Sequence, residues 1–314
     1  MPKKDLGIVI STGHRKWAIG ELAKTLNSSF SRSSIIEIPQ SRREARSIYG
    51  YIRWPKKSFY LFMHHALALQ SWDKGWIKEG SHYGIRYTHE SIEIENSLNV
   101  FLNACFITVE NSQSRFDLIR KGLSAEKVFV LPHPIEVDKF STLDLPKTRD
   151  VIFVSSFYQR KNPDLILEVI SRNPSLTFTI LGKGWNKWEK FPHLVSLDNF
   201  KYMSFSYTDY PQVLGSHRIF CSLSLIEGGP VPLIESLAAG LKVVTTDTGH
   251  VRDVLSHPRR YNILSHGANS QEVSISLKEA LCDVSQDRID VTRFDFQNYL
   301  RKIRSLSQDC AITV

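Results

Sequence analysis

Short runs rich in Ile, Val, Phe and Tyr recur along the chain, separated by segments of helical length with apolar residues three and four apart. Runs of that kind suit strands buried on both faces, and the intervening periodicity suits amphipathic helices. In the first half the pattern predicts strands at Leu6–Ile10, Ile35–Ile38, Phe59–Met63, Ile85–Thr88, Phe106–Val109 and Val128–Leu131. Helices are expected near Trp17–Asn27, Arg42–Tyr49, Ile92–Asn103 and Gln113–Lys121. After Phe140 the stretch STLDLPKTRD, polar and holding a proline, reads as an interdomain linker. The alternation then restarts. Strands are expected at Val151–Val154, Thr177–Leu181, Ile219–Ser222 and Lys242–Thr246, with helices at Asp164–Ser171, Tyr210–Ser216, Pro232–Ala239, Val251–Leu255 and Glu272–Cys282. A last amphipathic stretch, Phe294–Leu306, closes the pattern. Strand and helix in alternation give an α/β class with parallel sheets, and without a short repeat they give two doubly wound units. Such sheets bind ligands beyond their carboxyl ends, so two facing sheets would place a site in the cleft between them.

Composition narrows this picture. The 314 residues are 42% hydrophobic and 23% charged, ordinary for a folded globular protein. The opening MPKKDLGIVISTGHRKW has an apolar run too short for a signal peptide, and no apolar run reaches the roughly 18 residues of a membrane span, so a cytoplasmic protein is expected. Cys105, Cys221, Cys282 and Cys310 show no paired spacing, which indicates neither a disulfide framework nor a zinc site. The net charge of +8 is concentrated at the front: residues 1–60 hold 12 Lys or Arg against Asp5, Glu21, Glu37 and Glu44. In YGYIRWPKKSFYLF, aromatic residues alternate with Arg53, Lys56 and Lys57. Rings beside cations suit an anionic membrane surface at its inner face, or an acidic acceptor. Arg42, Arg43 and Arg46 add to the same excess. With no RNA-binding signature, nucleic acid is not an expected partner.

The densest information lies in SLSLIEGGPVPLIESLAAGLKVVTTDTGHVRDVL, residues 222–255. Glu227 and Glu235 stand with seven residues between them, the first followed by Gly228 and Gly229, the second on a helix opened by Pro232. A proline in a first turn fixes the helix start, so its amides and positive dipole end form an anion site. An ionised carboxylate only accepts hydrogen bonds, so Glu235 can hold a ribose diol and Glu227 sugar hydroxyls. The glycines let main-chain amides approach a ligand closely.

This segment resembles the retaining GT-B glycosyltransferases of family 4, also called glycosyl transferases group 1. Their signature resembles S-x-x-E-G-x-G-x-P-x-x-E-x-x-A-x-G-x-P-V-V, and Ser224, Glu227, Gly228, Pro232, Glu235, Ala238, Gly240, Val243 and Val244 fall in register. Pro230 stands at the second glycine. LPHPIEVDKF at 131–140 resembles the segment that closes the family's first domain, and VSSFYQRKNPDLILEVI resembles its diphosphate-gripping strand, loop and helix. Lys161 matches the family's lysine, while Ser156 replaces its arginine and leaves Arg160 as the substitute.

The resemblance implies two facing Rossmann-like domains, at 1–145 and 146–291, with 292–314 packing back on the first. It implies a nucleoside diphosphate sugar as donor, a glycan, lipid-linked or small-molecule acceptor, retention of anomeric configuration, and no cofactor or metal. It places donor binding on Arg160, Gly182, Glu227, Gly228, Gly229, Val231, Pro232 and Glu235. Catalytic duty falls to Lys161, which would neutralise the departing phosphate, to Glu227, and to His89 in GIRYTHESIEIE, which would bond a sugar hydroxyl. Thr12, Gly13 and His14 follow the first strand, where the family carries a loop that meets acceptor or donor, and His65 with His64 ends another strand on the acceptor side. A second reading stays open, a GT-B-like protein that binds nucleotide sugar or acts as a scaffold without catalysis, since Ser156 and Pro230 both fall at donor positions.

Overall fold

The computed structural model describes residues 5–15, 18–39, 54–88, 97–141, 145–204, 209–255, 261–284 and 289–310. They form two units, each built on a six-stranded parallel sheet. The expected Arg42–Tyr49 helix lies outside the described residues.

The first unit takes residues up to Pro132 together with those from Gln297 onward. Its strands are β1 (Leu6–Ser11), β2 (Ser33–Ile38), β3 (Phe59–Phe62), β4 (Tyr83–Tyr87), β5 (Phe106–Val109) and β6 (Val128–Val130), in the order β2-β1-β3-β4-β5-β6. Every residue of β1, β3, β4 and β5 is buried, as continuous apolar runs require, while β2 and β6 at the two ends of the order are partly exposed. The connecting helices are α1 (Ala18–Ser29), α2 (His65–Asp73), α3 (Leu98–Leu102) and α4 (Ser112–Arg120). Gly20 lets α1 cross the turn that follows β1, because a Cβ there would lie 2.2 Å from the His14 carbonyl oxygen.

The second unit runs from His133 to Phe296. It contains α5 (Asp138–Ser141), β7 (Arg149–Val154), α6 (Pro163–Arg172), β8 (Phe178–Leu181), α7 (Phe191–Val195), β9 (Phe200–Met203), α8 (Tyr210–Gly215), β10 (His217–Ser222), α9 (Val231–Ala238), β11 (Lys242–Thr246), α10 (Val251–Val254), β12 (Tyr261–Leu264) and α11 (Ser270–Cys282). The sheet order β12-β11-β10-β7-β8-β9 sends the chain first to one side of β7 and then to the other. Successive residues of β7 serve different faces: Val151 and Phe153 pack with Ile166, Ile170, Val273 and Leu277, while Ile152 packs with Leu214, Leu233, Leu237 and Phe294.

Two expectations are corrected. The division falls at 132/133, not at 145, because Ile135, Val137 and Phe140 are buried in the second unit's core and Ile135 pairs with Asp295. STLDLPKTRD is therefore a connection inside that unit. Cys105 and Cys310 form a disulfide across 205 residues of sequence, a separation that leaves no local spacing to read. Cys221 is a buried free thiol and Cys282 an exposed one.

The terminal helix α12 (Phe296–Asp309) lies in the first unit from Gln297 onward. It buries Tyr299, Leu300, Ile303 and Leu306. Arg304 donates to the Ser29 carbonyl at 2.6 Å and lies over Phe30, and Lys302 lies over Phe129. Among the described residues no helix is long and apolar enough to cross a membrane, and no group of three or more His, Cys, Asp or Glu could hold a metal ion.

Candidate functional site

In the second sheet the connections change direction between β7 and β10, which are neighbours. A crevice opens at such a point because the two following loops leave toward opposite sides. The loop after β7 carries Arg160 and Lys161, and the loop after β10 carries Glu227.

Lys161 ends a short 3-10 turn, Gln159–Lys161, and Asn162 follows in the left-handed region at φ 58° before Pro163 opens α6. Asparagine tolerates that conformation, and the reversal sets Lys161 beside the β10 loop. The Lys161 ammonium and the Arg160 guanidinium both pair with Glu227, the latter at 2.9 Å. Arg160 Nη1 also donates to the Ile226 carbonyl at 2.8 Å, and the Leu225 amide donates to the Arg160 carbonyl at 2.8 Å. Burial pulls the Glu227 carboxyl upward, but Lys161 and Arg160 outweigh it and hold its pKa below the usual range. Burial lowers the Lys161 pKa against the pull of Glu227. Two cations face one carboxylate, so the cluster keeps one surplus positive charge, and both cations keep N–H donors beyond those given to Glu227. Lys161 therefore does not wait bare for a phosphate: an arriving anion shares it with Glu227.

Glu235 sits in the first turns of α9, where the Tyr210 hydroxyl donates to it. Desolvation raises its pKa to about 7, opposed by the Tyr210 bond. The expected row of open amides at this helix start is thinner than the sequence suggested. Pro230 and Pro232 have no N–H, the Leu233 amide bonds the Pro230 carbonyl at 3.0 Å, and Val231 is the first helical residue. Gly228 and Gly229 lie in the loop before it, partly buried.

Gly182, expected among the donor contacts, is closely packed. Its amide donates to the Met203 carbonyl, its carbonyl accepts from Tyr202, and a Cβ would lie 1.8 Å from the Ser155 carbonyl oxygen. Ser155 in turn accepts from Trp185 Nε1, which fixes the loop carrying Ser156.

In the first sheet the direction changes between β1 and β3. Thr12–His14 form a 3-10 turn after β1, capped by Ser11, whose hydroxyl accepts from the Gly13 amide. His64 follows β3 and accepts from the Ala66 amide at Nδ1, capping α2. The His14 and His64 rings lie 5.7 Å apart, His64 and His65 stack at 4.4 Å, and His65 meets Tyr87 at 4.7 Å. His14 has its pKa lowered by burial and then by Arg86. His65, by contrast, is fully buried among these rings. Below them Arg86 and Glu110 form an ion pair with 4% of each side chain exposed. His89 lies outside the described residues.

Tyr210, His250 and the Arg86–Glu110 pair belong to these surroundings and escaped sequence reading. Tyr210 lies 25 residues from Glu235, with no motif to link them, whereas His250 stood inside the 222–255 segment.

Residues 135–289 match the family model described as glycosyl transferases group 1. One subunit of the Arabidopsis thaliana phosphatidylinositol N-acetylglucosaminyltransferase is 28% identical over 160 residues, 48% of this chain and 36% of that protein. The chain thus matches little more than a third of the length of this curated relative. Among solved structures, sucrose-phosphate synthase from Thermosynechococcus elongatus superposes with a TM-score of 0.77 at 12% identity, covering 99% of this chain and 100% of that one. HepE from Anabaena in complex with UDP gives 0.74 at 13% identity, covering 97% and 100%. With the two parallel sheets and the segment around Glu227 and Glu235, these likenesses identify residues 135–289 as a glycosyl transferases group 1 domain, in a chain with the GT-B fold.

Proposed function

We propose that the chain transfers a sugar from a nucleoside diphosphate sugar to an acceptor with retention of configuration, and without a metal ion. The observation that carries this reading is the Arg160–Lys161–Glu227 cluster at the direction change of the second sheet. When the bond from sugar to diphosphate breaks, negative charge grows on the departing phosphate. Fixed cations placed where charge develops stabilise that state more than the ground state. Glu227 keeps the two cations together when the site is empty. Glu235 and Tyr210 offer a carboxyl and a hydroxyl for the ribose.

HepE was solved with UDP, and the Arabidopsis relative is named for N-acetylglucosamine transfer to phosphatidylinositol. UDP-linked sugars, UDP-N-acetylglucosamine first, are therefore the donors to try, with lipid-linked acceptors ahead of soluble glycans. The acceptor belongs at the Thr12–His14 and His64 loops of the first sheet. A cytoplasmic setting and the Cys105–Cys310 bond pull in opposite directions, since reducing compartments keep thiols reduced.

Membrane contact belongs elsewhere on the first unit. Trp54 stacks on Trp76 at 4.7 Å with Lys74 above, ahead of the amino-terminal ends of β3 and β4, whereas the His14 loop follows the carboxyl end of the parallel β1. Lys56 is exposed there, whereas Lys57 is tied to Asp5 at 3.0 Å and leaves the basic set. Arg42, Arg43, Arg46 and Arg53 lie outside the described residues.

The test is a donor panel incubated with lipid and glycan acceptors, with product anomers read by NMR with and without EDTA. A product of inverted configuration would overturn retention, and activity lost to EDTA but restored by a divalent ion would overturn metal independence. Tight nucleotide-sugar binding with no product under any acceptor would favour the scaffold reading, which Ser156 and Pro230 motivate.

A further inference from the structure

The loop from Ser224 to Pro230 is gripped on its inner side by residues that no donor contact requires. Thr246, at the end of β11, donates its hydroxyl to the Ser224 carbonyl at 2.6 Å. Gly249 follows at φ 59°, and its Cα sits so close that a Cβ would lie 2.7 Å from the Gly228 carbonyl oxygen and 3.1 Å from that of Glu227. His250 comes next, fully buried, with Nε2 3.3 Å from the Pro230 carbonyl oxygen and its ring 6.4 Å from that of Phe294. A carbonyl oxygen only accepts, so Nε2 carries the proton and Nδ1 is left as an acceptor, buried without a hydrogen-bond partner among the described residues. A group of that kind costs stability, which is an argument for a role beyond packing.

We propose that His250 is a positioning residue, the third point of a template formed by Thr246, Gly249 and His250 that sets the conformation of the loop bearing Glu227. The inference rests on the reading of Glu227 as a donor-sugar contact. On the outer side Arg160 bonds Leu225 and Ile226, so the loop is held from both flanks. The inner contacts act on Ser224, Gly228 and Pro230, which bracket Glu227. Releasing Pro230 lets the carboxylate drift while Glu235 and Tyr210 keep their places on α9 and α8. The expected signature is separable: sugar transfer suffers, nucleotide affinity does not.

The experiment uses the full chain with His250→Phe, which keeps a ring without the hydrogen bond, His250→Asn, whose shorter side chain retains an N–H donor, and Thr246→Val. Amide exchange of residues 224–229 is followed by mass spectrometry, UDP binding by calorimetry, and kcat and KM with UDP-N-acetylglucosamine. His250→Phe should speed exchange across 224–229 and lower kcat by about 5- to 10-fold, the worth of one hydrogen bond, with UDP affinity within about 2-fold. His250→Asn should recover part of both losses. Should His250→Phe fail to fold, Thr246→Val, which removes a different point of the template, should give the same split. Unchanged exchange and kcat overturn the proposal, as does UDP affinity falling in step with kcat. If the wild-type chain transfers no sugar at all, the functional reading fails, while the exchange data still decide whether His250 holds the loop.

Discussion

Glu227 and Glu235 sit on one short stretch of chain, yet their surroundings drive them in opposite directions. Glu227 is held ionised by two cations, and Glu235 is pushed by burial to about 7 with a tyrosine as its partner. If the ribose needs the ionised form of Glu235, UDP affinity should rise with pH, by about 10-fold from pH 6 to pH 8, as the carboxylate fraction does. Glu235→Gln should remove that dependence and weaken UDP binding by roughly 10- to 100-fold, the worth of a hydrogen bond to a charged group. Calorimetry across pH checks both statements, and a flat profile for the wild type removes the ribose from Glu235. Lys161→Met should act differently. Loss of a fixed charge where charge develops lowers kcat by about 100- to 1,000-fold, and it leaves Glu227 with Arg160 alone, so the Glu227 pKa should rise. Single-turnover kinetics with UDP-sugar would read the first effect, and a carbon-13 carboxyl titration the second.

Among the elements, β7 and β8 show why glycine matters at one position. Gly182 follows β8 and lies against the Ser155 carbonyl, so Gly182→Ala forces the two loops apart. Overpacking of that kind costs about 1–3 kcal/mol or more, and urea denaturation should place this variant at the upper end. Ten of the twelve described strands were legible because continuous apolar runs can be read unaided, and the Glu227–Glu235 segment because its spacing joins a loop to a helix start; β9, Phe200–Met203, was missed because Lys201 interrupts its short, partly exposed run. Other elements were not. Helix α2 opens with His65 and carries two alanines, so its apolar stripe is weak, and β12, Tyr261–Leu264, is too short to stand out. The Glu227 ion pairs were also hidden, since they join residues 66 and 67 positions apart. A sequence shows that a lysine and a glutamate are present; only the order of strands β7 and β10 makes them neighbours.

At the scale of the molecule, buried titratable groups in the second unit set a pH response with a definite sign. His217 bonds Thr179 and the Val213 carbonyl, and burial lowers its pKa and that of His250 to about 4. The unfolded chain holds those two protons from about pH 6.5 downward, so the stability they represent is lost as pH falls toward 4. Glu235 works the other way, since the fold binds its proton more tightly and stability is lost as pH rises through 7. At 1.36 kcal/mol per unit, two histidines against one glutamate leave a net loss of roughly 3 kcal/mol between pH 7 and pH 4. Calorimetric melts should show the second unit weakening across that range, and His217→Gln should reduce the slope. The connectivity carries a further consequence. The second unit is inserted between Pro132 and Gln297 of the first, and the Cys105–Cys310 bond lies outside the insertion and encloses it. Topologically the polypeptide from 105 to 310 is a closed ring, with the second unit strung on it. A protease that cuts once inside that ring opens it without releasing a piece: the fragments should run as one species on a non-reducing gel and part only when a thiol reductant is added.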